Sequence, residues 1–289
     1  MFAKHSSESA TLSGEAQKKQ AFSYARLRGR SAGLALIAAL LWPVSVPAGD
    51  SPLIDVPFAT DFARPLVARE WLVSDGWSNG DWHGCTWSRR MVTRRDNALV
   101  LSIAEDPANP GDWLCGEIQL QARFLYGTFE ARIRTDRASG ANAALFTYIG
   151  PVHGQTHQEI DVEILTRDTS RFQVGTYIDG VPQEGGAVIA LPARADADFL
   201  TYSFIWEPAR IRWFVEGELV HEMTGETVPQ VAQKIYLSHW NTETLTDWMG
   251  VWSDPGRPLE MHVDWLAYTP YGMGCVHDGS VLCGGRAED

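Results

Sequence analysis

His157-Gln158-Glu159-Ile160-Asp161-Val162-Glu163-Ile164-Leu165 alternates acidic and aliphatic residues. At the two-residue period of a β-strand, Glu159, Asp161 and Glu163 share one face, and Ile160, Val162 and Ile164 share the other. Three carboxylates in line on one strand face repel one another and weaken the pairing. Folding does not need such a row, so it reads as a site. The competing reading is an exposed acidic face on a half-buried strand.

The surrounding chain reads as strands too. From Phe58 onward, short alternating runs are punctuated by Gly, Pro, Asn and Asp, the pattern of an all-β sandwich. Ala98 to Ala104 alternates. Phe129, Ala131 and Ile133 point inward, with Glu130, Arg132 and Arg134 outward. Arg210 to Val215 and Glu218 to Met223 form a hairpin about Glu216-Gly217. Met261, Val263 and Trp265 make one face of a last strand. At most one turn of helix is expected, near Pro229 to Gln233. Residues 49–271 then form one large sandwich, and 272–289 form a Gly-rich tail.

Arg26-Leu27-Arg28-Gly29-Arg30, the apolar run Ala32 to Trp42 and Val46-Pro47-Ala48 have the layout of a signal peptide, here residues 1–48. The apolar run is shorter than the roughly 20 residues that span a bilayer. A secreted or periplasmic protein is expected, with no membrane association after cleavage. Of the 289 residues, 45% are hydrophobic and the net charge is −12. Residues 1–48 hold six Lys/Arg and two Asp/Glu, so their removal leaves 18 against 34 and a net charge of about −16. Without a basic patch such a chain does not bind nucleic acid or anionic lipid. Cys85, Cys115, Cys275 and Cys283 suit disulfides in an exported chain, with three connectivities open. Cys275 and Cys283 are close enough to staple the tail, which leaves Cys85 with Cys115. The histidines outside the motif are scattered without metal spacing and read mostly as surface or loop residues.

Glycosidic hydrolysis needs one carboxylic acid to protonate the leaving oxygen and a second carboxylate to attack or to activate water, roughly 5–5.5 Å away in retaining enzymes. Glu159 and Glu163 have Cα atoms about 13 Å apart on a flat strand, and each side chain can lean toward the other. Asp161 between them raises a neighbour's pKa. Tryptophans beside Gly, Asn or Asp (Trp77, Trp82, Trp87, Trp113, Trp240, Trp248, Trp252) suit stacking on sugar rings, with about half expected in the core. A carboxylate calcium site is the competing chemistry, but calcium loops do not alternate with aliphatic residues.

Glu159-Ile160-Asp161-Val162-Glu163 resembles the E-x-D-x-E signature of glycoside hydrolase family 16, in the uninterrupted form of its lichenase and xyloglucan-transglycosylase branches. The likeness runs from about Phe58 to Pro270, through Ser74-Asp75-Gly76-Trp77-Ser78-Asn79-Gly80, Cys115-Gly116-Glu117, Phe146-Thr147-Tyr148 and Trp240-Asn241. It implies a jelly-roll β-sandwich with a concave sugar-binding cleft and a retaining double displacement on a β-1,3-1,4-glucan-like polysaccharide. Glu159 is implied as nucleophile, Glu163 as acid/base and Asp161 as the assisting carboxylate. Asn79, Glu117, Gln119, Phe146, Tyr148, His157, Tyr177, Trp240 and Trp248 are implied as substrate-binding. The resemblance also implies the Cys85–Cys115 disulfide and a structural calcium at Asp264, with no cofactor required for catalysis. A monomer is expected.

The chain departs from lichenases in ways that bear on substrate. His157-Gln158 replaces their Trp-Asp or Trp-Glu, and the His resembles the transglycosylases. Gln119 stands where lichenases have Arg, and Gly175 where they have Asn. A bacterial exopolysaccharide such as succinoglycan fits these changes at least as well as lichenan. The alternatives are transglycosylation on the same site and a non-catalytic carbohydrate-binding sandwich.

Overall fold

The computed structural model describes residues 51–284. The expected signal segment, residues 1–48, lies outside them. Among the described residues no helix is long and apolar enough to cross a membrane.

The alternating runs form two packed, largely antiparallel sheets. The first runs, in spatial order, through Trp71–Val73, Trp113–Leu120, Lys234–Asn241, Ala141–Ile149, Gln158–Leu165 and Arg171–Ile178. The second runs through Glu218–Thr224, Arg210–Val215, Leu200–Glu207, Gly127–Thr135 and Leu259–Thr269. Ala98–Glu105 and Phe58–Thr60 share the far edge of that last strand. Trp113–Leu120 belongs to both layers. Its first half pairs with Ala98–Glu105 and its second half with Lys234–Asn241.

The inward set of the acidic strand is fully used. Ile160, Val162 and Ile164 are at most 1% exposed and join a core containing Leu145, Leu237, Phe129, Phe204 and Trp213. Each such burial is worth about 1.5–3 kcal/mol. A one-residue slip would put all three in water, and this fixes the acids on the opposite face. Trp213 Nε1 also donates to the Asp161 carbonyl at 3.1 Å, tying the strand to the layer behind it.

The hairpin forms as read. Glu216 and Gly217 both adopt positive φ (51° and 79°), as a two-residue I′ turn requires. Both expected disulfides are present, Cys85–Cys115 and Cys275–Cys283.

Three expectations need correction. No helix forms over 229–233, because Gln233 bridges to Phe124 and Gln230 N donates to Gln158 Oε1. The one α-helical turn among the described residues is Thr246–Met249. Trp265 does not share a face with Met261 and Val263, since the register shifts between Val263 and Trp265 and Leu266 takes the inward position. His83 and His239 are buried rather than on the surface, and His239 and His262 lie in strands. Glu130 does face outward as read, and it is nonetheless fully buried. The tail covers it: Val281 N and Ser203 Oγ each donate to Glu130 Oε1 at 2.8 Å, and Val281 packs on Ile205 and Phe214.

Candidate active site

Register across the first sheet arranges the outward side chains in rows. One row reads Lys234, Tyr148, Glu159, Tyr177. The next reads Gln119, Tyr236, Phe146, Asp161, Gly175, and the third Glu117, Ser238, Ala144, Glu163, Gln173. No bulge interrupts the pairing of the acidic strand on either side. The three carboxylates therefore stand in one line, each beside its own neighbours.

Their environments differ. Glu159 lies at the open end of the line, its side chain 18% exposed, and its Oε2 is 2.6 Å from His157 Nε2. Asp161 is 5% exposed. Burial, then the charges of Glu159 and Glu163, then a hydrogen bond to Glu159 hold its pKa well above the usual carboxylate range. Glu159 thus has two hydrogen-bonding neighbours, Asp161 and the His157 ring. Glu163 is pushed up to about 8, chiefly by burial and next by the Glu159 charge. Asn142 Nδ2 donates to its Oε1 at 2.9 Å and works in the opposite direction. At neutral pH Glu163 therefore keeps its proton, and Asp161 holds one to a higher pH than an ordinary carboxyl does.

Most of the other expected residues frame this line. His157 stacks on Tyr177 (5.3 Å between rings, 13°) and meets Tyr148 edge-on at 5.0 Å. Gly150 lets the Tyr148 hydroxyl lie against the backbone, where any Cβ would collide with it. Phe146 stacks on Tyr236 at 4.8 Å, and Tyr236 donates to Gln119 Oε1 at 3.0 Å. Glu117 accepts from Ser74 Oγ at 2.5 Å, and burial lifts its pKa to about 7. Gly175 leaves open space beside Asp161.

A tryptophan cluster closes the Glu163 end. Trp240 packs against Trp82, His83 and Trp248, and Trp248 Nε1 donates to Gln173 Oε1, the neighbour of Glu163. Asn79 is placed indirectly, accepting from Trp87 Nε1 at 2.9 Å. Trp87 is 1% exposed and belongs to the core, whereas Trp77 is exposed. His83, Cys85 and Cys115 bring three ligand-type atoms within 4.8 Å, but the two sulfurs are bonded to each other.

Asp264, where the resemblance implies a structural calcium, is half exposed with its Oδ2 3.5 Å from Arg132 Nε, and it joins no cluster of three or more His, Cys, Asp or Glu side chains among the described residues.

Asn142, Tyr236, Ser74 and Gln173 were not expected at the site. Asn142 was within reach of the pattern, since Asn142, Ala144, Phe146 and Tyr148 alternate onto one face. Ser74 meets Glu117 only across 43 residues of chain.

Residues 79–267 match Glycosyl hydrolases family 16. The chain belongs to that family. This glycoside hydrolase is 44% identical over 228 residues to endo-1,3-1,4-beta-glycanase ExoK of Rhizobium meliloti, covering 78% of this chain and 83% of the relative. It is 36% identical over 202 residues to a beta-glucanase of Paenibacillus polymyxa, covering 69% and 82%. Among solved structures, the Bacillus licheniformis beta-glucanase superposes with a TM-score of 0.70 at 31% identity, over 74% of the hydrolase and 98% of that chain. The likeness places the fold with the jelly-roll sandwiches and makes the chain an enzyme rather than a binding module.

Proposed function

We propose that this hydrolase is an exported endo-acting β-glycanase that cleaves a polysaccharide with mixed 1,3 and 1,4 linkages and retains configuration at the cut. The observation that carries the reading is the line of carboxylates on one strand face, with Glu163 beside Asn142 and Glu159 at the open end beside His157. Glu163 keeps its proton at neutral pH, while Glu159 accepts from His157 and Asp161. A protonated acid and a supported carboxylate are the two groups that double displacement requires.

In the first step Glu159 attacks the anomeric carbon and a covalent glycosyl–enzyme bond forms. Glu163 gives its proton to the departing glycosidic oxygen. In the second step Glu163, now ionised, takes a proton from water, which attacks the same carbon and frees Glu159. Asp161 shares its proton with Glu159 more strongly when charge returns to that carboxylate. The half-buried rings of Phe146, Tyr148 and Tyr177 offer faces and edges for the sugar chain, and the buried Trp240 and Trp248 back the Glu163 end.

Export is supported by the basic and apolar layout of residues 26–48 and by two disulfides. The similarity to an endo-1,3-1,4-beta-glycanase supports mixed linkages in the substrate, and the departures at His157-Gln158, Gln119 and Gly175 favour an exopolysaccharide such as succinoglycan over lichenan.

Incubation with β-1,3-1,4-glucan and with exopolysaccharide should generate new reducing ends, first seen by NMR as the β-anomer. Glu159→Ala should abolish this by at least three orders of magnitude with Tm retained. First appearance of the α-anomer would overturn retention, and full activity of Glu159→Ala would overturn the site. Product sizes with added oligosaccharide measure how often a sugar replaces water in the second step.

A further inference from the structure

Arg123 and Lys234 stand opposite one another. Phe124 N donates to Gln233 O at 2.7 Å and Gln233 N to Phe124 O at 2.9 Å, an antiparallel bridge that sets residue 123 against residue 234. Like charges directly opposite destabilise a pairing. As with the three acids, folding alone does not call for this arrangement.

Lys234 shares the site face. It alternates with Tyr236, Ser238 and Trp240, and its neighbour Tyr148 is the neighbour of Glu159. Two strand spacings, about 10 Å, separate it from the nucleophile strand. Lys234 is only 8% exposed. None of the ion pairs among the described residues includes Arg123, Lys234 or the adjoining His153. Arg123 Nε donates to Ser51 O, leaving the ends of its guanidinium for another acceptor. His153 lies 3.4 Å from the Tyr236 hydroxyl through Nε2, and its buried Nδ1 has no hydrogen-bond partner. Burial first, then the Lys234 and Arg123 charges, drive the His153 pKa down to about 4.

A nearly buried ammonium beside a guanidinium, with no anion, is costly unless a ligand supplies one. In a chain of net charge −12 it is also out of keeping with the rest of the surface. We propose that Arg123 and Lys234 form a subsite for a carboxylate carried by the polysaccharide, at the end of the site face beyond Tyr148. The inference rests on the glycanase reading and narrows it to acidic polymers. The carboxylate belongs either to an oxidised sugar ring or to an acyl substituent; the ligand chemistry is the same.

The test compares three polymers at low salt: neutral β-1,3-1,4-glucan, the same glucan with a fraction of its C6 positions oxidised to carboxylates, and the same glucan carrying dicarboxylic half-esters. The wild-type enzyme should show several-fold higher kcat/KM on one carboxylated polymer than on the neutral one, and 0.5 M NaCl should erase that preference. Which polymer is preferred identifies the source of the carboxylate. Lys234→Gln should lower the carboxylated-to-neutral ratio about ten-fold, as loss of a charge-assisted contact does. Its Tm should be equal or higher, because the opposed charges are relieved. A wild-type enzyme with no preference, or one whose preference survives Lys234→Gln or high salt, would overturn the subsite alone. Failure to cut any of the three would overturn the glycanase reading and the subsite with it.

Discussion

His157 Nε2 lies 2.6 Å from Glu159 Oε2, and the same imidazole stacks on Tyr177. The ring is thereby held between a wall and a carboxylate. It orients the proposed nucleophile without belonging to the acid row itself. His157→Phe keeps an aromatic ring against Tyr177 but removes the donor. It should cut kcat/KM by about ten-fold, the scale of a lost hydrogen bond to a charged group, with little change in Tm. Unaltered kinetics in this variant would show that Asp161 suffices to hold Glu159.

In the proposed mechanism the proton on Glu163 sets the alkaline limit of activity. Activity should fall as pH rises through about 8, where that carboxyl ionises. Asn142 lowers this pKa through its hydrogen bond. Asn142→Ala should therefore move the limb to higher pH while reducing kcat several-fold, because the carboxyl loses its fixed orientation. A limb that stays in place, or moves to lower pH, would contradict the arrangement.

Glu117 offers a stability measurement. Burial raises its folded-state pKa from 4.5 to about 7, so the folded protein holds this proton over a range in which the unfolded chain has lost it. Stability from this group is present below pH 4.5 and is lost as pH climbs toward 7. Glu117→Gln removes the titration. Relative to wild type, the variant should gain on the order of 1–3 kcal/mol between pH 4.5 and pH 8. Parallel denaturation curves at pH 5 and pH 8 decide it, and an equal difference at both would refute the burial effect.

The tail should contribute to stability and not to turnover. Cys275 and Cys283 close a loop of eight residues' separation, and its Val281 docks over Glu130 on the sheet away from the acids. Replacing both cysteines by Ser should cost about 2–3 kcal/mol by loop entropy. That corresponds to a Tm lower by roughly 4–10 °C. At a temperature where the variant remains folded, kcat should match wild type. A matching loss of kcat would show that the two sheets communicate.

The sequence by itself determined the features that depend on local periodicity. Alternation at 159–164 fixed a strand, its buried side and the line of acids, because each aliphatic residue gains burial only in that register. The two alternating runs about Glu216-Gly217 marked the hairpin, and cysteine spacing with the family likeness marked both disulfides. Tertiary structure alone decided the rest. Asn142 reaches Glu163 and Ser74 reaches Glu117 through pairings 21 and 43 residues apart. One extra residue at Asp264 turned Trp265 to the other face, where it meets His277 at 4.7 Å. Glu130 obeyed the alternation and was buried all the same, since a segment 151 residues later lies on it. Periodicity says which way a side chain points within its strand. What it meets there is set by the hydrogen bonds and burial that align one strand with another.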